Sequence, residues 1–314
     1  MKASCAFLVA SFSWAAGPLG AQCSGSPSVQ VVCNRAIDAL KTFHPAAGII
    51  VSGGNPSLGS ARALGGLGHG FVSARVNAVK VIVPNPDTTS GGATVEGLVP
   101  APVVELGVGL WPGLRGGLLA VDGLLSATLV PTHAVDNLRV DSGATRVGSL
   151  ALGIGYGVRV SAWRGAFPIP AVSLSVMRRS LPRVAYGRLA PSSLSAGDAF
   201  EFDTDLRATN VRLTASYRLP VVDVAAGIGF DRYTSHGRLR YYDNPPLNTL
   251  ATVPFEPRNS RQLVFVNAAA QLSALALGAE IGYQTGKDQR LSTTYAFDAT
   301  GGHVFGGIGL RFGF

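Results

Sequence analysis

The sequence predicts an all-β protein: a transmembrane antiparallel up-and-down β-barrel of about ten strands, preceded by a short N-terminal helical segment. Three observations carry this. Strict two-residue alternation recurs along most of the chain, charged residues are only 14% against the ~25% usual in soluble proteins, and glycine is 40 of 314 residues. The apolar fraction is an ordinary 47%. Few charges and many glycines at ordinary hydrophobicity suit a wall with two different faces.

The alternation is explicit. In 147–160, Leu150, Leu152, Ile154, Tyr156, Val158 and Val160 share one face, opposite Ser149, Gly153, Gly155, Gly157 and Arg159. In 210–219, Val211, Leu213, Ala215, Tyr217 and Leu219 oppose Arg212, Thr214, Ser216 and Arg218. The stretches 221–230 and 275–284 repeat the pattern. Period two means strands. A soluble sandwich would carry Lys, Glu and Thr on its second face. Here that face is mostly Gly, Ala and Ser, while the other is aliphatic and ends in aromatics, as suits a wall between lipid and a crowded interior.

Ten strands are expected near 66–82, 98–111, 114–130, 146–162, 169–187, 199–218, 222–242, 259–272, 275–296 and 302–314. Eight or twelve would follow from one mis-split hairpin. Short connections (WPGL, WRGAFP, LPVV and a break near Ser273) alternate with long ones. An even count puts both ends of the barrel at the short-turn rim. After the first residues, no apolar run is long enough for a membrane helix.

The last strand, GGHVFGGIGLRFGF, alternates through Ile308, Leu310, Phe312 and Phe314. A closing strand in lipid must be paired on both edges, because unpaired backbone groups find no water there. Gly309, Phe312 and Phe314 resemble the C-terminal assembly signal of bacterial outer-membrane β-barrel proteins, with Gly307 where that family prefers a polar residue. The resemblance covers about 66–314. It implies an outer-membrane location, outer-membrane lipid as the surroundings, and recognition by the barrel-assembly machinery.

The N-terminus, MKASCAFLVASFSWAAGPLGA, has the layout of a secretory signal peptide cleaved after Ala21. Residues 1–21 are thus a signal, 22–65 an N-terminal segment and 66–314 the barrel. Removing Lys2 takes the formal net charge from +8 to +7. Cys23 and Cys33 remain after cleavage, and an even pair in an exported chain suggests a disulfide. Lys41, Lys80 and Lys287 are the only lysines left, and arginines are scattered, so nucleic acid is not an expected partner.

Within 22–65, Ser26 can cap a short helix, Pro27 suits its first turn, and Val29, Cys33, Ala36, Ile37 and Leu40 form an apolar stripe. His44-Pro45 is expected to end it, and GIIVSGG reads as a short strand. The stripe needs a cover, which favours a plug in the barrel or a lid at its periplasmic mouth over a loose tail.

Motifs for cofactor chemistry fail. GGNPSLGS (53–60) has phosphate-loop glycine spacing, but Ser60 stands where the lysine belongs. GGLGHG and GIGYG lack a strand–turn–helix unit. No histidines are spaced as zinc ligands, so neither metal nor cofactor is expected. Asp231, His236, Asp243, His133 and Asp136 are the candidates for a rim hydrolase, but no spacing singles them out, and the chain is not expected to be an enzyme.

The inward face offers more. Arg159, Arg218, Asp223 and Arg311 fall near the short-turn ends, with Glu105 and Glu280 deeper. Such charges need partners or water. They form either a salt-bridged ladder that holds the N-terminal segment or a ring that gives a channel an anion preference. Inward glycines such as Gly107, Gly155, Gly227, Gly229 and Gly278 leave space for water, a ligand or that segment. Trp111, Trp163, Tyr156, Tyr217, Tyr283, Phe230 and Phe312 read as interface girdle residues. Arg178, Arg179, Arg183, Arg188, Arg232, Arg238 and Arg240 are expected in long loops, either paired with lipopolysaccharide phosphates or simply solvated as loop charges. The leading expectation is a passive or gated channel for small solutes. The alternative is an interaction barrel with a blocked lumen and functional loops.

Overall fold

The computed structural model describes residues 23, 27–84, 94–114, 117–131, 146–147, 150–163, 169–186, 189, 200–242 and 250–314. The signal-peptide segment, Ser26, His133, Asp136, Arg188 and Asp243 lie outside the described residues. One helix, α1 (Pro27–Ser52), precedes the strands. They are β1 (Gly70–Pro84), β2 (Thr94–Trp111), β3 (Ala120–Pro131), β4 (Arg146–Val147), β5 (Leu150–Trp163), β6 (Ala171–Tyr186) and β7 (Phe200–Arg218). Then come β8 (Val222–Thr234), β9 (Gly237–Tyr242), β10 (Leu250–Phe255), β11 (Arg258–Leu272), β12 (Leu275–Gln284) and β13 (His303–Gly313).

Ten of these strands close a barrel in the order β1-β2-β3-β5-β6-β7-β8-β11-β12-β13, every neighbour antiparallel. β13 returns to β1, with Val72 opposite Phe312 and Val76 opposite Ile308. No edge is left in the ring, which satisfies the backbone without water. The faces follow residue parity. Along β8 and β12, Ile228, Phe230, Leu277 and Ile281 are exposed on the outside, whereas Asp223, Asp231 and Glu280 are buried inside. Along these two strands apolar side chains thus stand outside and charged ones within, while in the half that houses the helix the inward face also carries buried Val79, Val81, Val99 and Phe265. Exposed apolar patches on soluble monomers stop at a few hundred Å². Here the band runs round the ring. Among the described residues no helix is long and apolar enough to cross a membrane, so crossing falls to the strands.

Several boundaries differ from the sequence expectation. The strand expected over 222–242 breaks at Ser235-His236, where the His236 N–H donates to Asp205 Oδ1 at 2.6 Å; β9 then continues along β7. β10 forms inside the stretch expected to be a loop and pairs with β9. Its Pro254 is tolerated because β10 is an edge strand. The strand expected over 275–296 stops at Gln284, since GKDQR supplies no alternation. Residues 285–302 fold back over the helix instead.

The helix also differs. It runs through His44-Pro45, and GIIV is helical, not a strand. Proline removes a helix hydrogen bond at a cost of about 3 kcal/mol. Ile49 and Ile50, buried against Val79, Val81, Val99, Leu263 and Phe265, return roughly 1.5–3 kcal/mol each. Tertiary burial therefore overrides the local break.

Candidate functional site

The lumen is occupied. α1 lies in its long-loop half, and the chain then descends from Gly53 to Leu64 toward the short-turn rim, where β1 begins. At its outer end, Cys33, Ala36 and Ile37 of α1 pack against Leu239, Tyr241, Val253 and Phe255 of the β9–β10 hairpin. Cys23 and Cys33 are joined by a disulfide. Deeper, Gly48 lies against the Tyr233 ring so closely that a Cβ would stand 2.5 Å from it.

The wall grips the descending segment by its main chain. Arg212 donates to the carbonyls of Gly53 and Gly54 at 2.8 and 2.9 Å, and Arg75 to that of Asn55 at 2.8 Å. Glu280 accepts the N–H groups of Gly54 and Asn55 at 2.8 and 2.7 Å. Lower down, Asn267 accepts from the Gly59 N–H, Arg311 donates to the Leu58 carbonyl, Ser216 accepts from the Ala61 N–H and Asp122 from the Leu64 N–H. The glycines of 53–60 make this approach possible. A Cβ at Gly54 would meet the Glu280 carboxylate at 2.8 Å, and Gly53 and Gly59 hold left-handed φ angles of 61° and 80°.

The charges form paired layers. Glu105 accepts from Arg75 at 3.1 Å and Arg179 at 3.0 Å, and Arg75 Nη1 stands 3.9 Å from Glu280. Asp231 takes Arg212, Asn210 and the Tyr233 hydroxyl. Nearer the short-turn rim, Arg159 pairs with Asp122 at 2.9 Å, Arg218 with Asp223 at 3.2 Å, and Arg311 stands 3.8 Å from Asp223. The expected excess of three arginines over one aspartate at that level is corrected by Asp122, so two carboxylates stand there.

Arg179 is a further correction. It is not in a loop facing lipid phosphates but points into the lumen, bonded to Glu105 and Asn210. Its parity with Ser173 and Ser175 in β6 gives the inward direction, and the same signal marks Arg75 between Ser73 and Asn77 and Asp122 beside Ser126. Arg238 and Arg183 pair with Asp203, and Arg240 with Glu201, on the rising β7–β9 sheet. Arg178 and Arg232 lie on the outer face. The space beside inward glycines is filled by neighbouring side chains: Phe71 at Gly107, Phe265 at Gly227, Arg212 at Gly229, and Leu58 of the descending segment at Gly278. Of the hydrolase candidates, Asp231 is sealed under Arg212, while His236 is exposed and 3.5 Å from Asp205.

A lid closes the long-loop end. Asp38 of α1 is fully buried and accepts from the N–H and hydroxyl of Ser292, the Thr293 N–H and the Tyr295 hydroxyl. Lys41 donates to the Arg290 carbonyl at 3.0 Å. Burial, then the Asp38 charge and the hydrogen bond to it, push the Tyr295 hydroxyl above the usual phenol range. Among the described residues no group of three or more His, Cys, Asp or Glu side chains could hold a metal ion.

A closed ring of ten antiparallel strands, lipid-compatible outside and polar inside, defines the architecture of a bacterial outer-membrane β-barrel. No protein-family model matches this chain, and no curated protein sequence matches it either. Solved structures similar to it include the outer membrane protease OmpT from Escherichia coli, 11% identical over 78% of this chain and 94% of that one, TM-score 0.38. The translocator domain of autotransporter NalP from Neisseria meningitidis is 10% identical over 79% and 89%, TM-score 0.44. Neisserial surface protein A is 9% identical over 79% and 99%, TM-score 0.30. At such distances the architecture rests on this chain's own strand pairing and faces.

Proposed function

We propose that the protein is an integral outer-membrane barrel held closed by its own N-terminal segment, and that it works through its outward cap rather than as an open pore. The supporting observation is the main-chain grip. Arg75, Arg212, Glu280, Asn267 and Arg311 spend hydrogen bonds on the backbone of residues 53–59, leaving the polar wall committed to one occupant. Small-barrel interiors are usually filled, and this filler is covalently attached. The cap comprises the outer end of α1, the β9–β10 hairpin and residues 285–302. Long loops of such barrels face outward, so the cap is the surface a partner would meet. A channel reading survives only as conduction after the segment leaves.

The test is conductance of the refolded mature chain in planar bilayers beside a version lacking residues 22–60. Silence of the first and conductance of the second is the expected pair. Steady conductance from the intact mature chain would overturn the closed-barrel reading.

A further inference from the structure

On the outer face of the wall, the apolar band ends abruptly along one row of paired residues. Val176 of β6, Val211 of β7 and Phe230 of β8 stand side by side at its upper margin. The next outward row toward the long loops is Arg178, Thr209, Arg232 and, on β11, Ser260. The row after that is Ser180, Arg207, Thr234 and Arg258. Arginine and hydroxyl therefore alternate both along and across four neighbouring strands, and all four arginines are exposed. Diagonal neighbours in an antiparallel sheet lie about 7–8 Å apart, so Arg178, Arg207, Arg232 and Arg258 run as a zigzag of adjacent side chains. Arg207 stands 3.6 Å from Asp205 and Arg258 3.9 Å from Glu256, both beyond hydrogen-bond reach. Among the described residues, Arg178 and Arg232 have no carboxylate partner. Higher on the same face the arginines are matched: Arg238 and Arg183 share Asp203, and Arg240 meets Glu201. On β1 and β2, Lys80 is paired with Glu96. At the margin of the apolar band, by contrast, two acids face four arginines.

From this we infer that the zigzag is a binding site for an outer-leaflet lipid whose headgroup carries more than one phosphate. An arginine at this height lays its stem along apolar surface and lifts its guanidinium into the headgroup layer. Guanidinium groups match phosphate oxygens two at a time, and the Thr209 and Ser260 hydroxyls add donors between them. The zigzag crosses three strand spacings, about 14 Å. It thus offers two separate gaps, Arg178–Arg207 and Arg232–Arg258, each flanked by two guanidiniums, and a single phosphate fills only one. Val176 and Phe230, directly below and exposed, give the acyl chains of the same lipid an apolar surface. The site is built on the wall alone, so it does not rest on the closed state of the lumen.

The experiment is native mass spectrometry of the folded mature protein in a neutral detergent, titrated with diphosphorylated lipid A. The same lipid stripped of both phosphates reports acyl-chain contact alone, and phosphatidylglycerol supplies a single phosphate. Saturable binding of one diphosphorylated lipid is expected. Arg178→Gln and Arg232→Gln should each weaken it about tenfold, the loss of one charge-assisted contact, and the double variant more. Both arginines are exposed and neither covers an acid, so these variants keep the fold, which a heat-dependent gel shift verifies. Arg238→Gln, in the matched zone above, should bind like the parent. Equal binding of the dephosphorylated lipid, parent-like binding by the double variant, or an equal loss in Arg238→Gln would overturn the site. Phosphatidylglycerol bound as tightly as diphosphorylated lipid A would overturn the match to more than one phosphate. Conductance of the intact chain tests the closed barrel separately, so either reading falls without the other.

Discussion

Arg212 and Asp231 form a buried pair in which one arginine serves two masters. It meets both oxygens of Asp231 on the neighbouring strand, and it also donates to the carbonyls of Gly53 and Gly54. Barrel wall and lumen segment are thereby locked through a single guanidinium. The segment is held by its backbone, so its side chains contribute little to this particular grip.

Replacing Arg212 with Met strips Asp231 of its cation and frees two carbonyls. Breaking a buried pair from one side costs about 3–5 kcal/mol. The expected result is a lower unfolding temperature in the heat-dependent gel shift, together with bilayer conductance absent from the parent. Adding Asp231→Leu should recover part of the stability, because no lone charge remains, but not the closure.

Gly48 tests how tightly the helix is seated. A Cβ there meets the Tyr233 ring at 2.5 Å, and Tyr233 is itself fixed to Asp231 and Gln284. Gly48→Val should therefore displace α1 at a cost of roughly 1–3 kcal/mol, the range for overpacking. Limited proteolysis should then cut within residues 27–64 while the barrel core resists. An unchanged digestion pattern would mean that the helix is not seated as described.

The lid offers a pH test. The folded state raises the Tyr295 hydroxyl above its unfolded value near 10. For an acid shifted upward, the stabilisation is fully present below the unfolded value and is lost as pH rises above it through the folded one. Residues 285–302 should stay docked through neutral pH and loosen in strong alkali. In an absorbance titration, Tyr295→Phe should remove one tyrosine from the late-ionising part of the curve. Asp38→Ala removes the anion that gathers four donors, and should expose 285–302 to protease at pH 7.

The outer face makes its own prediction. Ile228 is 58% exposed at the middle of β8, between Leu213 and Val264 on the flanking strands. Ile228→Arg should destabilise the barrel in lipid vesicles by about 2–4 kcal/mol, the depth-dependent cost at a bilayer midplane. In a water-facing sheet the same change would cost almost nothing, so denaturant titration separates the two environments.

The sequence by itself determined the wall. Two-residue periodicity is a local property, and in 210–219 or 275–284 it assigns every residue to a face without knowledge of the neighbouring strand. The same parity carried the directions of Arg75, Asp122 and Arg179, though sequence spacing placed Arg179 wrongly among loop arginines. What parity cannot supply is the partner. Glu105 collects Arg75 and Arg179 from 30 and 74 residues away, and Asp38 collects Ser292 and Tyr295 from 254 and 257. Only ring closure and a filled lumen bring these together. The helix shows the same division: Pro45 is a local stop signal, and burial of Ile49 and Ile50 against strands far along the chain overrules it. Local sequence sets direction, because side-chain direction depends on backbone geometry; tertiary structure sets occupancy and pairing, because they depend on which distant surfaces exclude water together.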